Sequence, residues 1–278
     1  MRGLCTSVRL SNADRFRSTY DRFSLIRGGS IDLSKDEDSG IALITLNHTE
    51  RKNAMSGKMM CDLADVVTEL ESWSSGKGVI VHGAGRTFCS GGDLNFVKQI
   101  FSHEEGLEMS EFMHNVMTRL YNLPLISVAL LEGVAYGGGA EIATACDFRV
   151  MSDQAKLGFV QARMGVLTGW GGGTRLVGIV GRSNALKILT SAKVMESHEC
   201  KRMGLVDEIF PEGGSSMALT QKWLQQYCVT DSSLIQSFKT VVANADRHLD
   251  VLMEERKLFS QTWSSDLHIQ AMKQNIKH

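Results

Sequence analysis

Glycine placement constrains this chain of 278 residues more than any other feature. Seventeen of the 27 glycines lie between Gly83 and Gly181, and the whole chain has only 2 prolines. They concentrate in Ser90-Gly91-Gly92-Asp93, Gly137-Gly138-Gly139 and Gly171-Gly172-Gly173, each after a predicted strand or loop and before a predicted helix. At such a junction glycine lets the backbone approach a ligand closely. The helix N-terminus adds unengaged N–H groups and about half a positive charge. Two N–H groups converging on one oxygen make an oxyanion hole, where each donor is worth roughly 2.7–4 kcal/mol in the transition state. A single cluster reads equally as a tight turn. The first two clusters lack the G-x-G-x-x-G pattern of dinucleotide binding, and no Lys-Ser/Thr follows to make a phosphate loop.

The segments around the clusters alternate. Ile41–Leu46, Gly78–His82, Leu125–Leu131, Phe148–Met151 and Lys156–Val160 read as strands. Helical spacing predicts helices over Ser56–Trp73, with Ser56 as N-cap, and over about 94–100, 107–123 and 140–146. From Ser215 onward, 215–228, 231–245, 249–263 and 266–276 all show helical periodicity with no strand between them. The reading is an α/β core over 30–214, a C-terminal helical region over 215–278 and an N-terminal extension over 1–29 that stays disordered. Trp223, Leu224, Phe238, Val241, Leu252, Phe259 and Trp263 give the helical region apolar faces that predict a closed homo-oligomer, a trimer or a dimer of trimers.

Composition removes several classes. The formal net charge is -1, so no bulk positive field invites nucleic acid. The helix over 56–73 carries only Lys58 beside Asp62, Asp65, Glu69 and Glu71, which is no basic stripe for RNA. No apolar run approaches the length of a membrane-spanning helix. The 6 cysteines form no CxxC pair and sit at no zinc-finger spacing, and the histidines show no metal-ligand spacing, so no metal is expected. Unpaired buried thiols suit a reducing compartment and the cytosol. The first 30 residues hold 6 Arg, no Lys and only Asp14 and Asp21 as acids, which leaves a mitochondrial address as the alternative.

Thr87-Phe-Cys-Ser-Gly-Gly-Asp-Leu94, Glu132-Gly-Val-Ala-Tyr-Gly-Gly-Gly-Ala-Glu141 and Gly169-Trp-Gly-Gly-Gly-Thr-Arg-Leu176 together resemble the crotonase superfamily of enoyl-CoA hydratases and isomerases. Asn53-Ala54 and Cys146-Asp-Phe-Arg149 fit as well. The resemblance runs from about Gly40 to Phe210 and implies an α/β, crotonase-type spiral of ββα turns with a C-terminal helical oligomerisation region. It also implies an acyl-coenzyme A thioester as substrate and no separate cofactor, coenzyme A being part of the substrate. Carried onto this chain, the oxyanion amides are those of Gly92 and Gly138. Arg51 and the loop Ser90, Gly91, Gly92, Asp93, Leu94 would cradle coenzyme A, and Tyr136 would line the substrate site.

One departure decides the expected reaction. Hydratases of this superfamily use two glutamates; Glu141 matches the first, and Gln161 stands at the second. A glutamine neither accepts nor delivers a proton at neutral pH. Adding water to a double bond needs both partners, and losing one costs roughly 10²–10⁴-fold. Decarboxylation needs only that the enolate be stabilised and then protonated. Gly28-Gly-Ser-Ile-Asp-Leu33, Leu123-Pro-Leu-Ile-Ser-Val-Ala129 and Ala145-Cys-Asp-Phe-Arg149 resemble the branch that decarboxylates ethylmalonyl-CoA. The expectation is therefore a decarboxylase of short, branched malonyl-type thioesters, ethylmalonyl-CoA and methylmalonyl-CoA. Gln161 would hold the substrate carboxylate, Trp170 would supply an apolar wall, and Glu141 would protonate the α-carbon. The alternatives are a hydratase or isomerase acting through Glu141 alone, or a binding protein that has lost catalysis.

Overall fold

The computed structural model describes residues 11–211, 215–245, 256, 259–260 and 263–273. The first element corrects an expectation. Residues of the supposed N-terminal tail form a helix, α1 (Asn12–Phe23), started by a reciprocal Ser11–Asp14 capping box. Its apolar residues are few but spaced for one face. Phe16 stacks on Phe112 with ring centroids 4.5 Å apart, and Phe23 meets Phe96 edge-on at 5.0 Å. The arginines that mask this periodicity form the outer face: Arg22 pairs with Glu108, and Arg15 lies 3.9 Å from Glu111. Residues 1–10 lie outside the described part of the chain.

The chain continues through β1 (Ser30–Asp36), β2 (Ile41–Asn47), α2 (Gly57–Glu71), β3 (Gly78–Gly83), α3 (Leu94–Gln99), α4 (His103–Tyr121), β4 (Ile126–Leu131), β5 (Val134–Tyr136), α5 (Gly138–Thr144), β6 (Phe148–Ser152) and β7 (Lys156–Gly158). Then come α6 (Gly172–Ser191), β8 (Val194–Glu196), α7 (Ser197–Arg202), β9 (Glu208–Phe210), α8 (Ser216–Gln225), α9 (Ser232–Ala245) and α10 (Asp266–Lys273). One sheet has the order β1-β2-β3-β4-β6-β9 and the other β5-β7-β8. In the larger sheet only the β1–β2 pair is antiparallel. The turns β4–β5–α5 and β6–β7–α6 each visit the larger sheet and then the smaller one, as the expected ββα spiral does.

Helices cover the larger sheet on both faces, as a mostly parallel sheet requires. Val79 and Val81 point into the core under α2 and α4. Ile80, between them, joins Val128, Val150 and Leu224 in a second core beneath α8 and α9. The first two C-terminal helices thus pack on their own sheet, Leu224 being fully buried there. Burying each such side chain contributes about 1.5–3 kcal/mol. The Cys146–Arg149 motif holds this arrangement together. Arg149 donates to the carbonyls of Leu205 and Cys146 at 2.7 and 2.9 Å, and Asp147 accepts from Ser127 and pairs with Lys239 of α9.

Helix α4 starts a turn earlier than its periodicity suggests, because Ser102 and Glu105 form a capping box. The strand expected over 156–160 stops at Gly158, and residues 161–164 wind into a short 3-10 turn. Most of the helix expected over 249–263, with Leu252, lies outside the described residues, as do 274–276.

Candidate active site

Three loops meet at the carboxyl ends of β2, β3 and β4, and each is fastened by a specific polar contact. Asn53, fully buried with φ 54, accepts from the His48 N–H at 2.8 Å and donates to the Ala84 carbonyl at 2.9 Å and to the Thr87 carbonyl at 2.5 Å. Asparagine tolerates this left-handed backbone better than most residues, so one side chain ties the loop after β2 to the loop after β3. The Cys89 N–H donates to the Val134 carbonyl at 3.0 Å, and the Tyr136 N–H donates to the Cys89 carbonyl at 2.9 Å. That bridge brings the Ser90–Leu94 loop against Gly137 and Gly138.

The same bonds explain why the Gly92 amide is available. The Gly91 N–H meets Cys89 Sγ at 3.4 Å, and the Asp93 N–H donates to the Met55 carbonyl at 2.9 Å. Gly92 lies between these engaged neighbours. Gly138 is the first residue of α5, so its N–H has no acceptor within the helix. The indole of Trp170 lies against both glycines. A Cβ on Gly138 would fall 2.2 Å from Trp170 Cζ3, so only glycine fits beneath the ring. A Cβ on Gly92 would sit 3.5 Å from Val97 and 3.9 Å from Trp170, which is ordinary contact.

Glu141, one turn along α5, is 2% exposed, and four N–H donors reach its carboxylate. Oε1 accepts from Gln161 Nε2 at 2.9 Å and from the Gly169 amide at 3.2 Å. Oε2 accepts from the amides of Trp170 and Gly172 at 2.8 and 2.9 Å. This donor set suits the anion, since a protonated carboxyl would turn an O–H toward donors. The geometry therefore presents Glu141 as the anchor of the 169–172 loop and, through it, of Trp170, rather than as a poised proton donor. Gln161 turns its amide N–H edge to Glu141, leaving Oε1 buried without a donor. The side chain expected to grip a substrate carboxylate is thus engaged with a protein carboxylate instead.

These groups surround a cavity of about 300 Å³. Arg51, Ser90, Gly91, Gly92, Asp93, Leu94, Gly138, Glu141, Gln161 and Trp170 all line it. Tyr136 does not. Pleating sends its neighbour Ala135 into the core and leaves the half-buried phenol near Arg163, with burial raising its pKa against that charge. Asp93 caps α3, accepting from the Asn95 and Phe96 amides at 2.7 and 3.2 Å. Ser90 Oγ donates to the Arg51 carbonyl at 3.1 Å, joining the two parts of the rim.

The remaining wall went unread in the sequence. Phe259, Trp263, His268 and Met272, from the end of the chain, line the same cavity. Phe259 and Trp263 are 3% and 5% exposed, so they are covered within this chain rather than offered to a neighbouring copy. Their one-turn spacing shows that a helix face is buried but carries no signal of what it is buried against.

The family model for enoyl-CoA hydratase/isomerase matches residues 36–275. Among curated proteins, the ethylmalonyl-CoA decarboxylase of Rattus norvegicus is 44% identical over 255 residues, covering 90% of this chain and 85% of the relative. That of Danio rerio is 45% identical over 257 residues, with the same shares. Among solved structures, an enoyl-CoA hydratase/isomerase from Xanthobacter autotrophicus superposes with a TM-score of 0.81 at 22% identity, covering 89% of this chain and 93% of that one. With the glycine loops, the spiral and the matched length in agreement, the chain belongs to the enoyl-CoA hydratase/isomerase family.

Proposed function

We infer that this protein decarboxylates ethylmalonyl-CoA through a thioester enolate held by the Gly92 and Gly138 amides. The observation that carries the reading is the neutral Gln161 bonded to Glu141, in a chain 44% identical over 90% of its length to a decarboxylase of that substrate. The thioester would enter past Arg51 and the Ser90–Leu94 loop, with its carbonyl oxygen between the two amides. Breaking the bond from Cα to the carboxylate releases CO₂ and sends the electron pair into the thioester, the developing oxyanion meets donors already in place, and Cα then takes its proton from solvent. Trp170, 4% exposed, keeps water from that oxygen. The reaction calls for no cofactor. Methylmalonyl-CoA, one methylene shorter, is the second proposed substrate. The free cysteines among the described residues suit the cytosol, and a mitochondrial address remains the alternative proposal.

The test is to offer ethylmalonyl-CoA, methylmalonyl-CoA and crotonyl-CoA in parallel to the wild type and to Gln161→Glu. The wild type is expected to release CO₂ from the first two and to leave the conjugated double bond of the third nearly untouched. Gln161→Glu sets a second carboxylate in hydrogen-bond range of Glu141, so the pair must share a proton. Decarboxylation is expected to fall, and crotonyl-CoA hydration to rise by at least about 10²-fold as the acid/base pair is restored. Efficient hydration by the wild type without CO₂ release would replace this reading with the hydratase one.

The proposed assembly is a homotrimer or a dimer of trimers. Leu234, Phe238, Val241 and Val242 follow one helical stripe on α9 and are 45–67% exposed. An apolar stripe of this kind favours burial against a neighbouring copy, and a trimer follows where that contact is heterologous and closes after three copies. Light scattering at micromolar concentration is expected to give a multiple of three chain masses, and Phe238→Glu is expected to shift the mass downward. A monomeric wild type would contradict the proposal.

A further inference from the structure

One titratable ring in the cavity wall takes no part in the chemistry above. His268, on α10, is 2% exposed and lines the cavity. The Ser264 amide donates to its Nδ1 at 3.1 Å, so the neutral ring carries its proton on Nε2. Burial pushes the ring below the ordinary histidine range, which keeps it neutral. The ring is held between Phe101 and Trp263, with centroids 5.1 and 5.0 Å away. Ser264 has φ 59, a left-handed backbone rare for a residue with a side chain, and its hydroxyl donates to the Phe101 carbonyl. Backbone strain of this kind persists only where surrounding contacts over-determine it, and it tends to mark functional positions.

The Nε2–H of His268 meets no acceptor among the described residues. Three other side-chain donors around the cavity are engaged, while Arg51 stands at the rim beside Ser90. Trp170 Nε1–H points to Met109 Sδ at 2.9 Å, Trp263 Nε1–H donates to the Ile100 carbonyl at 3.2 Å, and Gln161 Nε2 donates to Glu141. Near Gln161 lies the buried Glu141 carboxylate, and an anion placed there would meet a like charge. A carboxylate taken from water into this largely apolar space needs a donor.

Resting on the decarboxylase reading, we propose that His268 Nε2–H receives the free carboxylate of the malonyl-type thioester and makes His268 a specificity-determining residue. The imidazole keeps its proton throughout. As the bond to Cα breaks, its electron pair passes into the thioester enolate, and the departing CO₂, now uncharged, is a poor acceptor that leaves the hydrogen bond. A neutral donor thereby selects the carboxylate without holding the ground state as strongly as a cation would.

The test separates the carboxylate from the rest of the ligand. His268→Phe keeps the aromatic packing and removes the donor. KM for ethylmalonyl-CoA is expected to rise at least about 10-fold, the scale of one lost buried hydrogen bond to a charge. The inhibition constant of butyryl-CoA, which lacks the carboxylate, should stay within about 2-fold on the same reasoning. His268→Gln, which returns an N–H near the Nε2 position, should recover most of the loss. Where the Phe variant does not melt cooperatively, His268→Met carries the same expectation. An unchanged KM, or a KM that rises together with the butyryl-CoA constant, would overturn the role of His268. Absence of CO₂ release by the wild type would instead remove the decarboxylase reading itself.

Discussion

Glu141→Gln is expected to lose most catalysis and a large part of its thermal stability together. The substitution changes one carboxylate oxygen into an NH₂ group that two N–H donors already face, either Gln161 and Gly169 or Trp170 and Gly172. Each buried donor left without an acceptor costs about 1–3 kcal/mol, so the two together cost about 2–6 kcal/mol. For a chain of this size that corresponds to a Tm lower by roughly 10 °C. The 169–172 loop carries Trp170, whose ring sits on Gly138, so kcat should fall by at least about 10²-fold as the oxyanion site opens to water. Calorimetry and steady-state turnover on one preparation check both. Unchanged Tm with lost activity would return Glu141 to the role of a proton donor.

The second large effect distinguishes two glycines that look alike in the sequence. Gly92→Pro deletes one amide donor and is expected to lower kcat by about 10²–10³-fold. Gly92→Ala keeps the donor, and its methyl group finds ordinary contact distances, so its kcat should stay within a few-fold. Gly138→Ala also keeps the donor but drives a methyl group into Trp170, 2.2 Å from Cζ3. It should therefore lose activity although no hydrogen bond has been removed. Tryptophan fluorescence follows that displacement independently of turnover. Equal tolerance of alanine at both positions would contradict the placement of the ring.

The loops around the cavity were legible because glycine clusters and an acid one helical turn beyond them serve a backbone purpose that few other residues can serve. Gly92, Gly138, Glu141 and Gln161 fall together around one cavity. What Glu141 does there was not legible, because its partners are main-chain amides of residues 169, 170 and 172, which no side-chain pattern announces. Helix α1 was hidden by arginines that lower the average hydropathy while leaving Phe16 and Phe23 on one face. Strands β5, β8 and β9 have three residues each, too few for a period of two to register. Phe259 and Trp263 were read as a face for another copy because periodicity reports burial without naming the partner.

The cavity draws on two stretches of the gene that lie far apart. Most of its lining comes from residues 51–170, inside the spiral, while Phe259, Trp263, His268 and Met272 come from far along the chain. With that separation, substitutions in the later segment are expected to change which acyl group the cavity takes while leaving the glycine loops in place.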